Sequence, residues 1–237
     1  MAQYDITPQT TFSTPYAADE RVTTFLRSVY GWMFAGLGIT AAVAYFIAQS
    51  PGVAIAIASN PILFFGLMAV QLGLVFFLSA RVARLAPSTA SLLFVLYSAL
   101  TGVTFSFILL SYTGASIANT FIVCSGMFGA LAFYGTTTSR SLAGWGQFLF
   151  MGLIGVVLAS FVGIFWHNDM FQFILAFIGV IVFTGLTAYD AQRLKQMALT
   201  TPTGQLGSFA IVGALALYLD FINLFLMLLR LFGGRRD

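Results

Sequence analysis

Charged residues are scarce in this sequence. Asp, Glu, Lys and Arg make up 7% of the 237 residues, whereas a soluble globular domain carries about 25%. Hydrophobic residues make up 59%. This composition excludes an ordinary soluble domain and predicts an integral membrane protein embedded in a lipid bilayer. The net charge of +3 comes from basic residues scattered singly or in pairs, so we expect no nucleic-acid partner.

Cysteine and histidine occur once each, as Cys124 and His167. A single cysteine cannot form an intrachain disulfide or a thiolate metal cluster. The two residues together provide too few ligands for a zinc site of the usual kind. We therefore predict that the protein has no bound cofactor.

Apolar segments long enough to cross a bilayer occur seven times. Crossing takes about 20 residues at 1.5 Å rise each, and an open chain in lipid satisfies its backbone polar groups only as a helix. The segments cover residues 28–48, 62–80, 90–112, 116–135, 143–166, 171–190 and 207–232. The sequence thus predicts an all-α integral membrane protein, a bundle of seven transmembrane helices. This membrane domain, residues 26–234, is expected to follow a flexible cytoplasmic tail, residues 1–25.

Basic residues flank alternate ends of the predicted helices. They are Arg21 and Arg27 before the first, Arg81 and Arg84 after the second, Arg140 after the fourth, and Arg193 and Lys195 after the sixth. By the positive-inside rule this pattern predicts a cytoplasmic N-terminus. The C-terminal residues Arg230, Arg235 and Arg236 break the pattern. The last helix therefore either crosses against the rule or enters the membrane and turns back.

Small residues at three- or four-residue spacing occur in three of the segments. Such spacing lets helix backbones approach closely in lipid, and it predicts ordinary helix packing in each case. The residues are Ser98, Gly102 and Ser106, then Gly126 and Ala130, then Gly152 and Gly155.

One carboxylate lies in the middle of the last apolar segment. Asp220 is surrounded there by Leu, Phe, Ile, Ala and Met, and a charge at that depth costs on the order of 3 kcal/mol. Gly213 and Asn223 share its helical face, so this small and polar face should point into the bundle. Two interpretations stay open: a functional group, or a polar side chain bonded to a neighbouring helix.

A second carboxylate, Asp190, lies near the end of the sixth segment. Arg193, three residues on, could pair with it on the helix surface. The chain then returns into the membrane, which can bring Asp190 close to Asp220. Two carboxylates in a poorly solvated site cannot both ionise cheaply, so the pair would titrate as a unit and share a proton. A shared hydrogen bond would hold the last two helices together, and the same oxygens suit Ca²⁺.

The residues around both aspartates resemble a known family. The segment 218–225, Tyr-Leu-Asp-Phe-Ile-Asn-Leu-Phe, continues through Leu-Leu-Arg at 228–230. It is similar to the C-terminal signature of the Bax-inhibitor-1-like (transmembrane Bax inhibitor motif) family. Thr-Ala-Tyr-Asp at 187–190 resembles the preceding family motif. Residues 29–33 and 96–102 resemble the bacterial branch, and the resemblance covers about residues 25–234.

This resemblance implies a seven-helix fold with a central last helix, in a bacterial cytoplasmic (inner) membrane. It implies a pH-sensitive leak channel with Ca²⁺ as the permeant ion, gated by Asp190 and Asp220 as a proton-sharing pair. The family's cytoplasmic arginine after helix two corresponds to Arg81 or Arg84, so the resemblance implies that these residues take part in pH sensing and gating with the aspartates. Some relatives carry an acidic residue within helix two, near the position where this chain has Gln71.

Asn223, Tyr189 and Arg193 are expected to support the aspartate pair in a channel.

Two further functions remain open beside the channel. Some bacterial relatives are linked to control of a membrane-bound protease, so a regulatory protein that binds a membrane protein partner and conducts no ion is the alternative. A presenilin-like protease is disfavoured, because Leu217 and Leu219 replace both glycines of the Gly-x-Gly-Asp motif. We predict that the protein is not an enzyme.

Overall fold

A computed structural model describes residues 15–166 and 168–236, which form eight α-helices. The helices are α1 (Pro15–Ala48), α2 (Pro51–Ser59), α3 (Pro61–Arg81), α4 (Pro87–Ser111), α5 (Gly114–Thr137), α6 (Ala143–Phe165), α7 (Asp169–Thr200) and α8 (Leu206–Phe232). All except the short α2 are long and apolar enough to cross a membrane. The prediction of an all-α membrane protein with seven spans is confirmed.

Local sequence signals set several helix starts. Proline occupies the first position of α2, α3 and α4, where its missing N–H needs no partner. The side chain of Asn60 accepts hydrogen bonds from the backbone N–H groups of Ile62 and Leu63, at 3.0 and 3.3 Å. Asn168 accepts one from Phe171 at 2.9 Å. These caps satisfy backbone donors that would otherwise lack partners at the helix ends.

The last helix is the centre of the bundle. It packs against α1, α4, α5 and α7, and 16 of its 27 residues are buried. The outer helix α3, by contrast, buries only Leu78 among its 21 residues and leaves large side chains such as Phe76 exposed. Exposed apolar side chains are favourable where a helix faces lipid. The expected central position of the last helix is therefore confirmed.

Helices α7 and α8 are antiparallel neighbours with a defined register. Two glycines mark the contact between the helices. Gly213 of α8 lies against the side chain of Leu194 of α7. Gly179 of α7 lies against Met227 of α8, and a Cβ on Gly179 would come within 2.7 Å of the methionine side chain. These two contacts, fifteen residues apart on α7, place Thr187 about level with Asp220. The aspartates therefore have fixed heights relative to one another.

The two ends of the bundle differ in their basic residues. At one end, which we call the turn end and which includes the α7–α8 connection at residues 201–205, Arg21 donates to the carbonyl oxygens of Ala198 and Thr201. Lys195 at that end donates to the carbonyl oxygen of Thr136 at 2.9 Å. All the loop arginines that precede α8 lie at the turn end. The opposite end, which we call the arginine end, contains Arg230, Arg235 and Arg236.

The last helix crosses the bundle completely. Its C-terminal residues lie beside the α4–α5 connection, where the N–H of Arg236 donates to the carbonyl oxygen of Ser111 at 2.9 Å and that of Thr113 donates to Gly234 at 3.1 Å. The re-entrant path left open by the sequence is thus excluded. The three C-terminal arginines lie at the end away from the other basic loops, against the charge rule.

Three predicted features of the helices are wrong. Residues 15–25, expected to be a flexible tail, belong to α1; residues 1–14 and His167 lie outside the described residues. The sixth predicted helix ends at 190, but α7 continues to Thr200 because Leu194 and Ala198 are buried against the bundle. Arg21 helps to hold both extensions together by bonding to the last turn of α7. The short helix α2 follows the first span where only a connection was expected.

The small residues predicted to mediate close packing do so in part. A Cβ on Gly102 would come within 2.6 Å of Val43 and 2.8 Å of the carbonyl oxygen of Thr40, on α1. One on Gly152 would approach Val182 to 3.0 Å, whereas Gly126 and Gly155 have no such neighbour within 4 Å. The α1–α4 contact therefore depends on a glycine.

We expect Gly102→Ala to destabilise the protein. Both Gly102→Ala and the control Gly126→Ala gain helix propensity, but only the first places a methyl group against a backbone carbonyl that cannot move independently. Overpacking of this kind costs about 1–3 kcal/mol. Thermal unfolding in detergent measures the difference, and equal midpoints for the two variants would contradict the packing described.

Candidate functional site

Asp220 is enclosed by the core of the bundle. Its side chain is 6% exposed, and Leu217 and Tyr218 beside it are completely buried. The Oδ2 atom of Asp220 is buried and has no hydrogen-bond partner within the described residues. An unpaired buried carboxylate oxygen is costly, so this atom is available for a proton, a water molecule or a cation.

Asp190 lies on the face of α7 that contacts α8. It shares that face with Gly179 and Leu194, the residues that set the register, and it is half-buried. Asp190 lies about one helical turn, roughly 5 Å, nearer to the turn end than the level of Asp220. The register therefore places the two aspartates on the facing sides of α7 and α8, at heights that differ by about one turn. That the two carboxylates share a proton stays a prediction.

Thr184 of α7 is a second buried polar residue with an unpaired atom, and no sequence motif included it. Its Oγ1 atom has no hydrogen-bond partner within the described residues. By helical periodicity Thr184 lies on the same side of α7 as Ala188 and Ala191, which contact Gly135 of α5. It is therefore not part of the face that meets Asp220.

The predicted arginines do not reach the aspartates in this structure. Arg81 and Arg84 are exposed at the turn end. The adjacent Leu85 accepts a hydrogen bond of 2.6 Å from Ser208 Oγ, which is twelve residues and therefore about 18 Å along α8 from Asp220. A role of Arg81 and Arg84 in gating would require these residues to move towards the aspartates, or would act through the electrostatic potential at the turn end.

The three supporting residues lie in different surroundings. Asn223 donates to the carbonyl oxygen of Leu219 on its own helix at 2.8 Å. Tyr189 contacts α6, where its ring fills the space beside Gly146. Arg193 is exposed, one turn beyond Asp190 on α7. Its support of the aspartate pair stays a prediction.

Gln71 of α3 bonds to a neighbouring helix. Its Nε2 donates to the carbonyl oxygen of Leu100 on α4 at 3.0 Å. A carboxylate at this position could not make the same donor contact. The glutamine therefore joins two helices and adds no third carboxylate to the pair.

Tyr218 holds the opposite side of α8. Its hydroxyl lies 2.6 Å from Thr40 Oγ1, and Thr40 in turn donates to the carbonyl oxygen of Ser98 on α4 at 2.9 Å. The tyrosine ring packs edge-on against Phe94 and Tyr97, with centroids 5.8 and 5.9 Å apart. This buried network fixes α8 to α1 and α4, on the side away from α7.

Comparison with known proteins agrees with the sequence motifs. The family model described as "Inhibitor of apoptosis-promoting Bax1" matches residues 22–237, which includes both aspartates and the central helix. The chain belongs to the Bax inhibitor-1-like family. The resemblance noted in the motifs is confirmed.

Several bacterial members of the Bax inhibitor-1-like family are similar to this chain over most of its length. Inner membrane protein YbhL of Escherichia coli is 52% identical over 216 residues, which cover 90% of this chain and 92% of the relative. A protein of Borreliella burgdorferi is 43% identical over 215 residues, 90% of this chain and 93% of the relative. A membrane protein of Streptococcus pyogenes is 34% identical over 223 residues, 93% and 96% of the two chains. With its seven spans, this chain is a bacterial inner membrane protein, as predicted.

A double-mutant cycle tests the anchor of α8. We expect Tyr218→Phe and Thr40→Val each to lower stability, and the double variant to lose less than the sum, because both single changes remove the same hydrogen bond. A buried hydrogen bond contributes about 0.5–1.5 kcal/mol, and unfolding in detergent measures the coupling. Tyr134→Phe, at a tyrosine that is 48% exposed, is the control. Strict additivity would show that the contact contributes nothing.

Proposed function

We propose that this protein is a pH-sensitive Ca²⁺-permeable leak channel of the bacterial inner membrane, gated by the pair Asp190 and Asp220. The single observation that carries the proposal is the buried, unpartnered Oδ2 atom of Asp220 in the central helix. A bundle stabilised only by apolar packing has no use for such a group, because an unpaired carboxylate oxygen in the core lowers stability.

The proton is the first ligand that the pair could share. With one proton between them, one carboxyl group donates to the other carboxylate and the helices stay in contact. Loss of that proton leaves two negative charges, and two unit charges within hydrogen-bonding reach repel by on the order of a few kcal/mol at an effective dielectric constant of about 20. A conformational equilibrium of a few kcal/mol is shifted by such a term. Rising pH should therefore loosen the contact between α7 and α8.

Helix α7 is the partner that would move. Helix α8 is fixed to α1 and α4 through Tyr218, Thr40 and Ser98, on the side away from the aspartates. At the turn end α7 is joined to α1 by Arg21, through bonds to carbonyl oxygens at its last turn. Repulsion between the carboxylates would thus displace the middle of α7 while its end remains tied.

Ca²⁺ is the ion that these oxygens suit best. Carboxylate and hydroxyl oxygens are its preferred ligands, and the two charges of the ionised pair match its charge. Among the described residues no group of three or more His, Cys, Asp or Glu side chains could hold a metal ion. A site with two carboxylates binds Ca²⁺ weakly enough to release it, which conduction requires.

The closed surroundings of Asp220 do not suit catalysis. Acid–base catalysis needs a carboxyl group within reach of a substrate and water, while the neighbours of Asp220 in this state exclude both. We therefore propose ion passage and no enzymatic reaction. We also propose a cytoplasmic N-terminus, because the basic residues that precede α8 lie together at the turn end.

Ca²⁺ flux into liposomes tests the proposal. We expect the wild-type protein to pass Ca²⁺ at a rate that depends on pH, and Asp220→Asn to flatten that dependence, because an amide cannot lose the shared proton. Asp190→Asn should act in the same direction. Asp169→Asn is the matched control, since Asp169 is exposed at the arginine end, and it should behave as wild type.

Two results would count against the channel. Identical fluxes for wild type and Asp220→Asn at every pH would remove the pair from the mechanism. Absence of flux in the wild type, with correct insertion shown by protease protection, would favour the regulatory alternative instead.

A further inference from the structure

The arginine end of the molecule concentrates positive charge. Arg230 lies in the last turn of α8, and Arg235 and Arg236 follow within six residues. All three are exposed. Arg230 also lies 3.5 Å from Gln172 Oε1, a contact that leaves most of its five donors free. This cluster of arginines is separate from the aspartate pair, because Arg230 lies ten residues from Asp220 along α8.

The backbone that bears two of these arginines is fixed. Gly234 donates to Ser116 Oγ at 2.9 Å and accepts from Thr113 N–H at 3.1 Å. Arg236 N–H donates to the carbonyl oxygen of Ser111 at 2.9 Å, and Arg235 pairs with Tyr112 in an antiparallel bridge. The C-terminal residues are thus held against the α4–α5 connection and do not form a free tail.

The three arginines line one cavity of about 530 Å³ between α4 and α8. Its other lining residues are Ser111, Tyr112, Ile108, Leu226 and Leu229, so its described lining includes hydroxyl groups and apolar side chains but no carboxylate. An adjacent cavity of about 590 Å³ shares Tyr112, Arg230 and Arg235 and contains Asp169. The cavity between α4 and α8 is therefore the positively charged one.

Three guanidinium groups around one cavity repel each other unless an anion lies between them. The guanidinium fork matches phosphate oxygens in paired hydrogen bonds, and the hydroxyl group of Tyr112 is a further donor. Ile108, Leu226 and Leu229 form an apolar wall beside the charges. Charge with an adjacent apolar wall is the arrangement that the headgroup and upper acyl chain of an anionic lipid require.

We propose that this cavity binds a phosphate-bearing anion at the end of the bundle where α8 terminates. The shared chemistry is an anionic phosphate held by Arg230, Arg235 and Arg236. The apolar wall favours the headgroup of an anionic phospholipid over free phosphate. Binding at this site accounts for the three arginines at the arginine end. The other basic residues lie at the turn end, in agreement with the positive-inside rule.

The test compares two pairs of arginines on the full-length protein. Arg235→Gln with Arg236→Gln removes two charges from the cavity but keeps the backbone hydrogen bonds that hold the C-terminal residues. Arg27→Gln with Arg140→Gln removes two charges from exposed positions at the turn end. Circular dichroism and gel filtration confirm that both variants fold.

Two ligands distinguish the sources of the phosphate. The first is dioleoylphosphatidylglycerol, compared with dioleoylphosphatidylcholine by native mass spectrometry of the protein in detergent. The second is inorganic phosphate or pyrophosphate at constant ionic strength, followed by the shift in thermal unfolding. We expect wild type and the turn-end pair to bind alike and the cavity pair to bind at least about tenfold more weakly, a loss of about 1.4 kcal/mol.

Each outcome decides the proposal. Selective loss of phosphatidylglycerol binding supports a lipid site, and selective loss of phosphate or pyrophosphate binding supports a soluble ligand of the same chemistry. Arg235→Lys with Arg236→Lys should give an intermediate affinity, because the charge stays but the fork is lost. Equal weakening in the cavity pair and the turn-end pair, or no phosphate-dependent binding by the wild type, would overturn the proposal.

Discussion

Burial of one carboxylate in the central helix is the constraint on which the remaining structure depends. A lipid-embedded bundle gains no hydrophobic driving force from helix association, because lipid is as apolar as its side chains. Close packing and polar contacts must therefore hold the helices together. Asp220 does not contribute to this stability in full, because one of its carboxylate oxygens is buried without a hydrogen bond. Its presence is intelligible if the α7–α8 contact has to respond to a proton.

The surroundings of α8 divide into a fixed side and a responsive side. On the fixed side Tyr218 and Thr40 form a buried hydrogen bond, and Gly102 lets α4 approach α1. On the other side α7 presents Asp190 to α8. The polar groups of the fixed side are thus satisfied, whereas Asp220 Oδ2 is left unpaired. This difference gives a change in protonation a specific contact on which to act.

Local patterns were enough to predict the spans and the inward face of α8. Hydropathy locates helices in lipid reliably, and the face shared by Gly213, Asp220 and Asn223 follows from helical periodicity alone. Partners distant in sequence were not predictable in this way. Arg21 bonds to residues about 180 positions away, so the extensions of α1 and α7 look like loops when each is considered alone.

The charge rule failed at one place for an identifiable reason. The three C-terminal arginines suggested that α8 turns back, but its contacts with every inner helix and its hydrogen bonds to the α4–α5 connection require a full crossing. Burial of 16 side chains along α8 outweighs the preference of a few terminal charges. Charge statistics describe average insertion, whereas the central helix is positioned by packing on all sides.

Infrared difference spectroscopy on the protein in lipid tests the central claim most directly, because it detects protonated carboxyl groups without relying on transport. Spectra recorded across the neutral range should show a protonated carboxyl band that disappears on raising the pH and is missing in both Asp220→Asn and Asp190→Asn. Loss of the band in both variants would show that one proton belongs to the pair. A band that persists unchanged in either variant, or its absence from the wild type at acidic pH, would contradict the account.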